Sequence, residues 1–221
     1  EEEVYEMIRQ TPFVITISRQ LGCGGSYFGQ RLASLLGVKY ADHEILQQAA
    51  AELGDDVDLL ASRDETVSRF WDIVQAYFVM GPPDTTYQPP QLHISSDREL
   101  YDQENAIIER LTREESAVII GHGGFHVLRE HPAHVSIYFH APTPFRVQRV
   151  KALYEVTEDA ARHMIAAADT ERERYIRALS GKSWTDLRNY QLTLDSSALS
   201  FPAIEELLLA FLAGRGITPV K

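Results

Sequence analysis

Gly22, Gly24 and Gly25 fall within four positions, with Cys23 between them and Ser26 directly after. Glycines at this density let backbone N–H groups converge on an anion, and a helix starting at the same point adds the positive end of its dipole. Residues 22–26 are therefore a candidate phosphate cradle, with the Ser26 hydroxyl placed for a divalent cation. The usual phosphate-loop pattern ends Gly-Lys-Ser/Thr, its lysine reaching the outer phosphates. Here Gly25 stands in the lysine's place. Arg19, just before the loop, is the candidate substitute cation, as a planar fork arriving from a different angle. The plainer alternatives are a glycine turn used only for close strand–helix packing and a surface arginine paired to a carboxylate. Cys23 is expected to fill a backbone-determined position rather than act as a nucleophile, which would need exposure and a lowered pKa.

The elements that must position these residues are legible around them. Residues 13–18 are β-branched and apolar and predict a strand. Phe28, Leu32, Leu35 and Leu36 predict a helix over 25–36, capped by Gly37. Residues 38–42 read as a second strand, and Asp42 is a plausible N-cap for a helix over 43–53. Helical patterns follow over 54–80. Prolines 82, 83, 89 and 90 exclude regular structure over 81–90. A helix is expected over about 97–113. Residues 117–121 form an all-apolar strand, as in a parallel sheet covered on both faces. The turn Gly121-His122-Gly123-Gly124 leads into another helix. A strand over 135–140 precedes a helix begun by Pro142 and Pro144, which carries Arg146 and Arg149 on one face. Residues 158–179 are helical and densely charged, 192–195 a last strand, and 201–213 a closing helix stopped by Gly214. Strands alternating with helices predict an α/β fold with a doubly wound parallel sheet, whose ligands sit beyond the carboxyl ends of the strands.

Composition narrows the function. The chain has 221 residues, 44% of them hydrophobic, which suits one domain with a normal core. Its net charge of −11 argues against a general nucleic-acid or anionic-membrane binder. Lysines occur only at 39, 151, 182 and 221, so the positive charge is mostly arginine. One cysteine excludes an internal disulfide and a cysteine metal cluster. No apolar run approaches the roughly 20 residues of a membrane span. Glu1-Glu2-Glu3 is the opposite of a signal-peptide start, and the expectation is a cytoplasmic location. Phe70, Trp71, Tyr77 and Phe78 have helical spacing. Core packing is its default reading, and an acceptor pocket or a homodimer surface are the others. His122 and His126, at i and i+4, lack an evident third ligand for a metal.

Four segments in order, residues 17–25, 40–42, 118–124 and 194–200, resemble the nucleoside monophosphate kinases, most closely the cytidylate kinase-like branch. The resemblance spans roughly residues 13–212. It implies a P-loop NTPase-type core (13–42, 106–149 and 186–213), a helical acceptor-binding insertion at about 43–105 and a short lid at about 150–185. It implies ATP and Mg²⁺ as the donor system, with the γ-phosphoryl passing to a small phosphate acceptor such as CMP or dCMP. Catalysis of this kind is mostly positioning and charge neutralisation. Carried over by position, Gly22, Cys23, Gly24, Gly25, Ser26 and Arg146 would hold the donor. Arg19, Arg149 and Arg172 would neutralise developing charge, and Asp42 and His122 would meet the acceptor. Arg172 belongs to an Asp169-x-x-Arg172 motif of the lid.

Three departures stand out. Gly25 replaces the loop lysine. His122 occupies a position where relatives carry an arginine for the acceptor phosphate. Ile165 to Ala168 lack the lid's extra Arg-Asp pair. They keep open a second reading, a catalytically degenerate nucleotide-binding sensor or partner-binding protein, and a third, a kinase for a non-nucleotide metabolite.

Overall fold

A computed structural model describes residues 12–42, 105, 108–109, 112–121 and 123–220. Five parallel strands form its sheet: β1 (Val14–Arg19), β2 (Lys39–Asp42), β3 (Ala117–Ile120), β4 (His134–His140) and β5 (Leu192–Asp195), in the order β2-β3-β1-β4-β5. The order reverses on either side of β1, which puts the loop after β1 at the topological switch point, where open α/β sheets bind ligands.

Side-chain alternation along the strands sorts the two faces. Ile15, Ile17, Val118, Ile120, Val135, Ile137 and Phe139 pack with Phe28, Leu32 and Leu36 of α1 (Gly25–Leu36) and with Ile204, Leu208 and Leu212 of α5 (Phe201–Ala213). The opposite face carries Thr16, His134, Ser136 and Tyr138, all buried. There Tyr138 packs with Phe125 of the short helix α2 (Gly124–Val127), with Trp184 and Tyr190, and with Ile176. The remaining helices are α3 (Thr143–Tyr154) and α4 (Glu158–Ser180).

The element boundaries follow local chemistry. Gly37, at φ 65°, closes α1 as a left-handed cap. Thr157 caps α4, its hydroxyl accepting the Ala160 N–H, and Ser200 caps α5 through Ala203. The helix after residue 124 has only four residues, and the chain continues through turns, with Arg129 N–H donating to His126 O and His131 N–H to Leu128 O. α5 ends at Ala213 with Gly214 as its cap, as the sequence predicts; Gly214 stays right-handed at φ −61°, and the left-handed residue is Gly216, at φ 80°. The predicted helices over 43–53 and 54–80 and the 81–90 loop lie outside the described residues, as does most of the 97–113 helix.

Candidate functional site

Parallel pairing brings the carboxyl ends of all five strands to one edge. The ladder continues past the strands there: Gln20 N–H donates to Phe139 O (3.1 Å), Gly121 N–H to Ile17 O (2.9 Å) and Ser196 N–H to His140 O (2.9 Å). The loop 20–25 therefore starts from a rigid base.

Each glycine of the loop has a steric reason. Gly22, at φ 83°, lies against α3, where an added Cβ would meet Arg146 O at 2.8 Å and Val150 Cγ2 at 2.9 Å. Gly24 is the N-cap of α1 at φ 87°, and a Cβ there would meet Phe201 Cζ at 2.8 Å. Gly25 opens α1, and its Cβ would lie 2.6 Å from Arg19 Cβ and 3.1 Å from Arg19 Cγ. The arginine stem thus fills the volume that a residue-25 side chain would need. Ser26 follows in the first turn of α1 and is buried.

Cys23 is fully buried, its thiol aimed at Gln20 O (3.0 Å) and Phe139 O (3.5 Å). Burial pushes that thiol up to about 11, against the pull of the Gly25 N–H and of the Arg172 and Arg19 charges. It is no nucleophile at neutral pH.

Leu21 is held by every group it has. Its side chain packs with Val147 and Val150 of α3 and with Ala161, Ile165 and Ala168 of α4. Its N–H donates to Asp169 Oδ1 (3.0 Å), and its carbonyl accepts from Arg146 Nη1 (3.3 Å). The next carbonyl, of Gly22, accepts from Arg149 Nε at 3.1 Å. The spacing of three on α3 thus places two guanidiniums on two consecutive loop carbonyls.

Arg146 lies inside the protein, its side chain 7% exposed; Nε donates to Ala141 O (3.0 Å) and Nη1 to Asp169 Oδ2 (2.6 Å). Arg149 stacks on Phe201 with its Cζ 4.6 Å from the ring centroid. Arg172 Nη1 is 3.5 Å from Asp169 Oδ1, and its Cζ lies 6.0 Å from the Trp184 ring.

Asp169 was visible in the sequence only as part of a motif. Its signal is positional: Ala161, Ile165 and Ala168 form a buried stripe on α4, and Asp169 and Arg172 continue that stripe as charged residues before Ile176 resumes it. Charges in an apolar stripe need partners. The missing Arg-Asp pair at 165–168 has a packing reason as well, since Ile165 and Ala168 build the cluster that holds Leu21. Phe201, which covers Gly24 and carries Arg149, had no sequence signal beyond its place in a helix.

Asp42 ends β2 beside Ile120, at the same edge as the loop; nothing is described of its side chain. His122 lies outside the described residues, between Gly121 (φ 86°) and Gly123 (φ 64°). His126 Nδ1 is buried without a hydrogen-bond partner among the described residues, and its pKa is lowered by burial and by Arg129 and Lys182. Among the described residues no group of three or more His, Cys, Asp or Glu is placed to hold a metal. No described helix is long and apolar enough to cross a membrane.

A parallel sheet with this strand order, and a glycine loop joining its central strand to the first helix, defines an α/β protein of the P-loop kinase type. The chain belongs to the cytidylate kinase-like family, whose model matches residues 14–198. Among solved structures it is similar to an uncharacterized protein from Eubacterium ventriosum, 16% identical with a TM-score of 0.66, over 91% of this chain and 98% of that one. It is also similar to an unliganded sugar kinase from a Janibacter species, 14% identical with a TM-score of 0.50, over 95% and 99% of the two chains. Both likenesses concern the fold. Among curated proteins, none matches this chain.

Proposed function

We propose that the protein transfers the γ-phosphoryl group of ATP to a small phosphate acceptor, a nucleoside monophosphate of the CMP or dCMP kind. The observation that carries this reading is the exclusion between Arg19 and Gly25. Arg19 Cβ and Cγ occupy the space above Gly25, and on this reading the loop's cation would come from the end of β1 instead of the start of α1.

The residues present suit a polyphosphate. Gly22 and Gly24 take positive φ, and the loop they shape runs into the N-terminus of α1, whose backbone N–H groups are the donors a phosphate needs. Arg19, Arg149 and Arg172 would supply the positive charge that neutralises the negative charge such a transfer develops. Mg²⁺, when bound, supplies further neutralisation of the donor oxygens; Ser26 is the residue that would hold it, with most other ligands from phosphates and water. Asp42 and His122 would face the acceptor, and segment 43–105 would supply the rest of its pocket. For Arg146 the role changes. Its donors bind Ala141, Leu21 and Asp169, which suits holding the loop rather than touching the donor.

The transfer is direct, from donor oxygen to acceptor oxygen, and Cys23 takes no part in it. The test is turnover: protein, Mg-ATP and a pooled panel of nucleoside and deoxynucleoside monophosphates, read by mass spectrometry, with Arg19→Ala alongside. A diphosphate formed by the native chain and lost in the variant supports the reading. No product from a folded sample that binds ATP overturns it in favour of a sensor or of a kinase for a different acceptor.

A further inference from the structure

We infer that Asp169 is a positioning residue for the phosphate loop: it brackets the loop to α4 through Leu21 and sets Arg146 and Arg172 against it. The inference rests on reading residues 22–26 as the phosphate cradle.

Leu21 immediately precedes the first loop glycine. A residue held at both its N–H and its carbonyl has little freedom left, and Leu21 is 7% exposed, its side chain in the α3–α4 cluster. The N–H partner is Asp169 Oδ1, and the carbonyl partner is the Arg146 guanidinium that also binds Asp169 Oδ2. One carboxylate therefore closes a ring: Leu21 N–H to Asp169, Asp169 to Arg146, Arg146 back to Leu21 O. Arg172 joins on the Oδ1 side. With side-chain exposures of 7%, 20% and 17% for Arg146, Asp169 and Arg172, these are not exposed surface pairs. Charge-assisted bonds at such sites are stronger and more directional than neutral ones.

Two consequences separate this role from simple electrostatics. A carboxylate near an anion site repels the anion. If Asp169 did nothing but carry charge, its neutralisation would tighten anion binding. If it positions the loop and the arginines, neutralisation weakens binding, because the donors lose their aim. The two roles predict opposite signs.

The experiment uses the full chain, with inorganic tripolyphosphate as the probe, titrated calorimetrically into the native protein and Asp169→Asn. Asparagine keeps the volume and an acceptor oxygen for the Leu21 N–H but loses the charge that holds Arg146. The expected result is binding weakened about tenfold; unchanged or tighter binding overturns the inference. Hydrogen exchange on free native protein and Asp169→Ala gives a second, ligand-free reading. Leu21 should exchange at least tenfold faster while Ile15 and Ile17 in β1 keep their protection. Equal acceleration of all three would mean global destabilisation and overturns the bracket, as does an unchanged Leu21. If native protein does not bind tripolyphosphate, the cradle reading fails, while the exchange result still decides whether Asp169 holds Leu21. If Asp169→Ala does not fold, the sign of the Asp169→Asn effect decides.

Discussion

A Cβ placed on Gly25 would sit 2.6 Å from the Cβ of Arg19, so a side chain at position 25 has no room beside the side chain at 19. On the proposed reading the pair is an exchange: the cation absent from the first residue of α1 would be supplied from the last residue of β1.

The exchange is reversible by design. Arg19→Ala should lower kcat about 100-fold or more, the scale of losing a group that stabilises transition-state charge. Gly25→Lys alone should destabilise the fold by about 1–3 kcal/mol through overpacking against Arg19. The double variant Arg19→Gly/Gly25→Lys, which also removes the Cβ that would lie 2.6 Å away, should regain much of that stability and turn over faster than Arg19→Ala alone. Urea unfolding and the turnover assay read both effects; a double variant no better than either single one would refute the exchange.

Gly24 combines a left-handed backbone with a covered face. Gly24→Ala should cost about 1–2 kcal/mol for the left-handed conformation. Displacing the Phe201 ring should add about 1 kcal/mol. Phe201→Leu in the same chain should return the second part but not the first. Additive losses in urea melts would show that Phe201 does not press on Gly24.

Cys23 should resist alkylation. Its thiol is held near 11 by burial and is fully enclosed. Iodoacetamide at pH 8 should leave the native protein unmodified over a period in which urea-unfolded protein reacts completely. Rapid labelling of the native state would mean that the loop opens readily.

His134 couples stability to pH. Its Nε2 lies 2.8 Å from Thr16 Oγ1 inside the sheet, and burial, helped by His131 and Arg215, lowers its pKa from 6.5 to about 4. The folded state holds a neutral imidazole, whereas the unfolded chain binds a proton below 6.5. Its contribution is therefore intact above pH 6.5 and is lost progressively as pH falls toward 4. The shift corresponds to about 3 kcal/mol. The stability difference between the native chain and His134→Gln should shrink by about that amount from pH 7.5 to pH 4. A constant difference would contradict a neutral buried His134.

Much of the architecture could be read from local pattern. The limits of α1, the Gly37 cap and the strand at 192–195 follow from apolar spacing and glycine placement, signals that act over a few residues. The belonging of residues 14–198 to one family agrees with the ordered motifs. Asp169 and Phe201 were not legible as site residues, because their partners are 148 positions away at Leu21 and, for Phe201, far back in the chain at Gly24. No periodicity encodes such a meeting.

The sequence by itself determined that a glycine-dense turn follows a buried strand, that a helix starts there, and that the usual lysine is absent. Those are properties of neighbours along the chain, set by backbone freedom and side-chain alternation. Only the tertiary structure decided which of four arginines serves which purpose. Arg146 is drawn inside to Asp169, Arg149 lies on Phe201, Arg172 stands beside Asp169, and Arg19 fills the space over Gly25. An arginine's role depends on which carboxylate, ring or void meets its guanidinium, and the packing of α3, α4 and α5 around one loop sets those meetings.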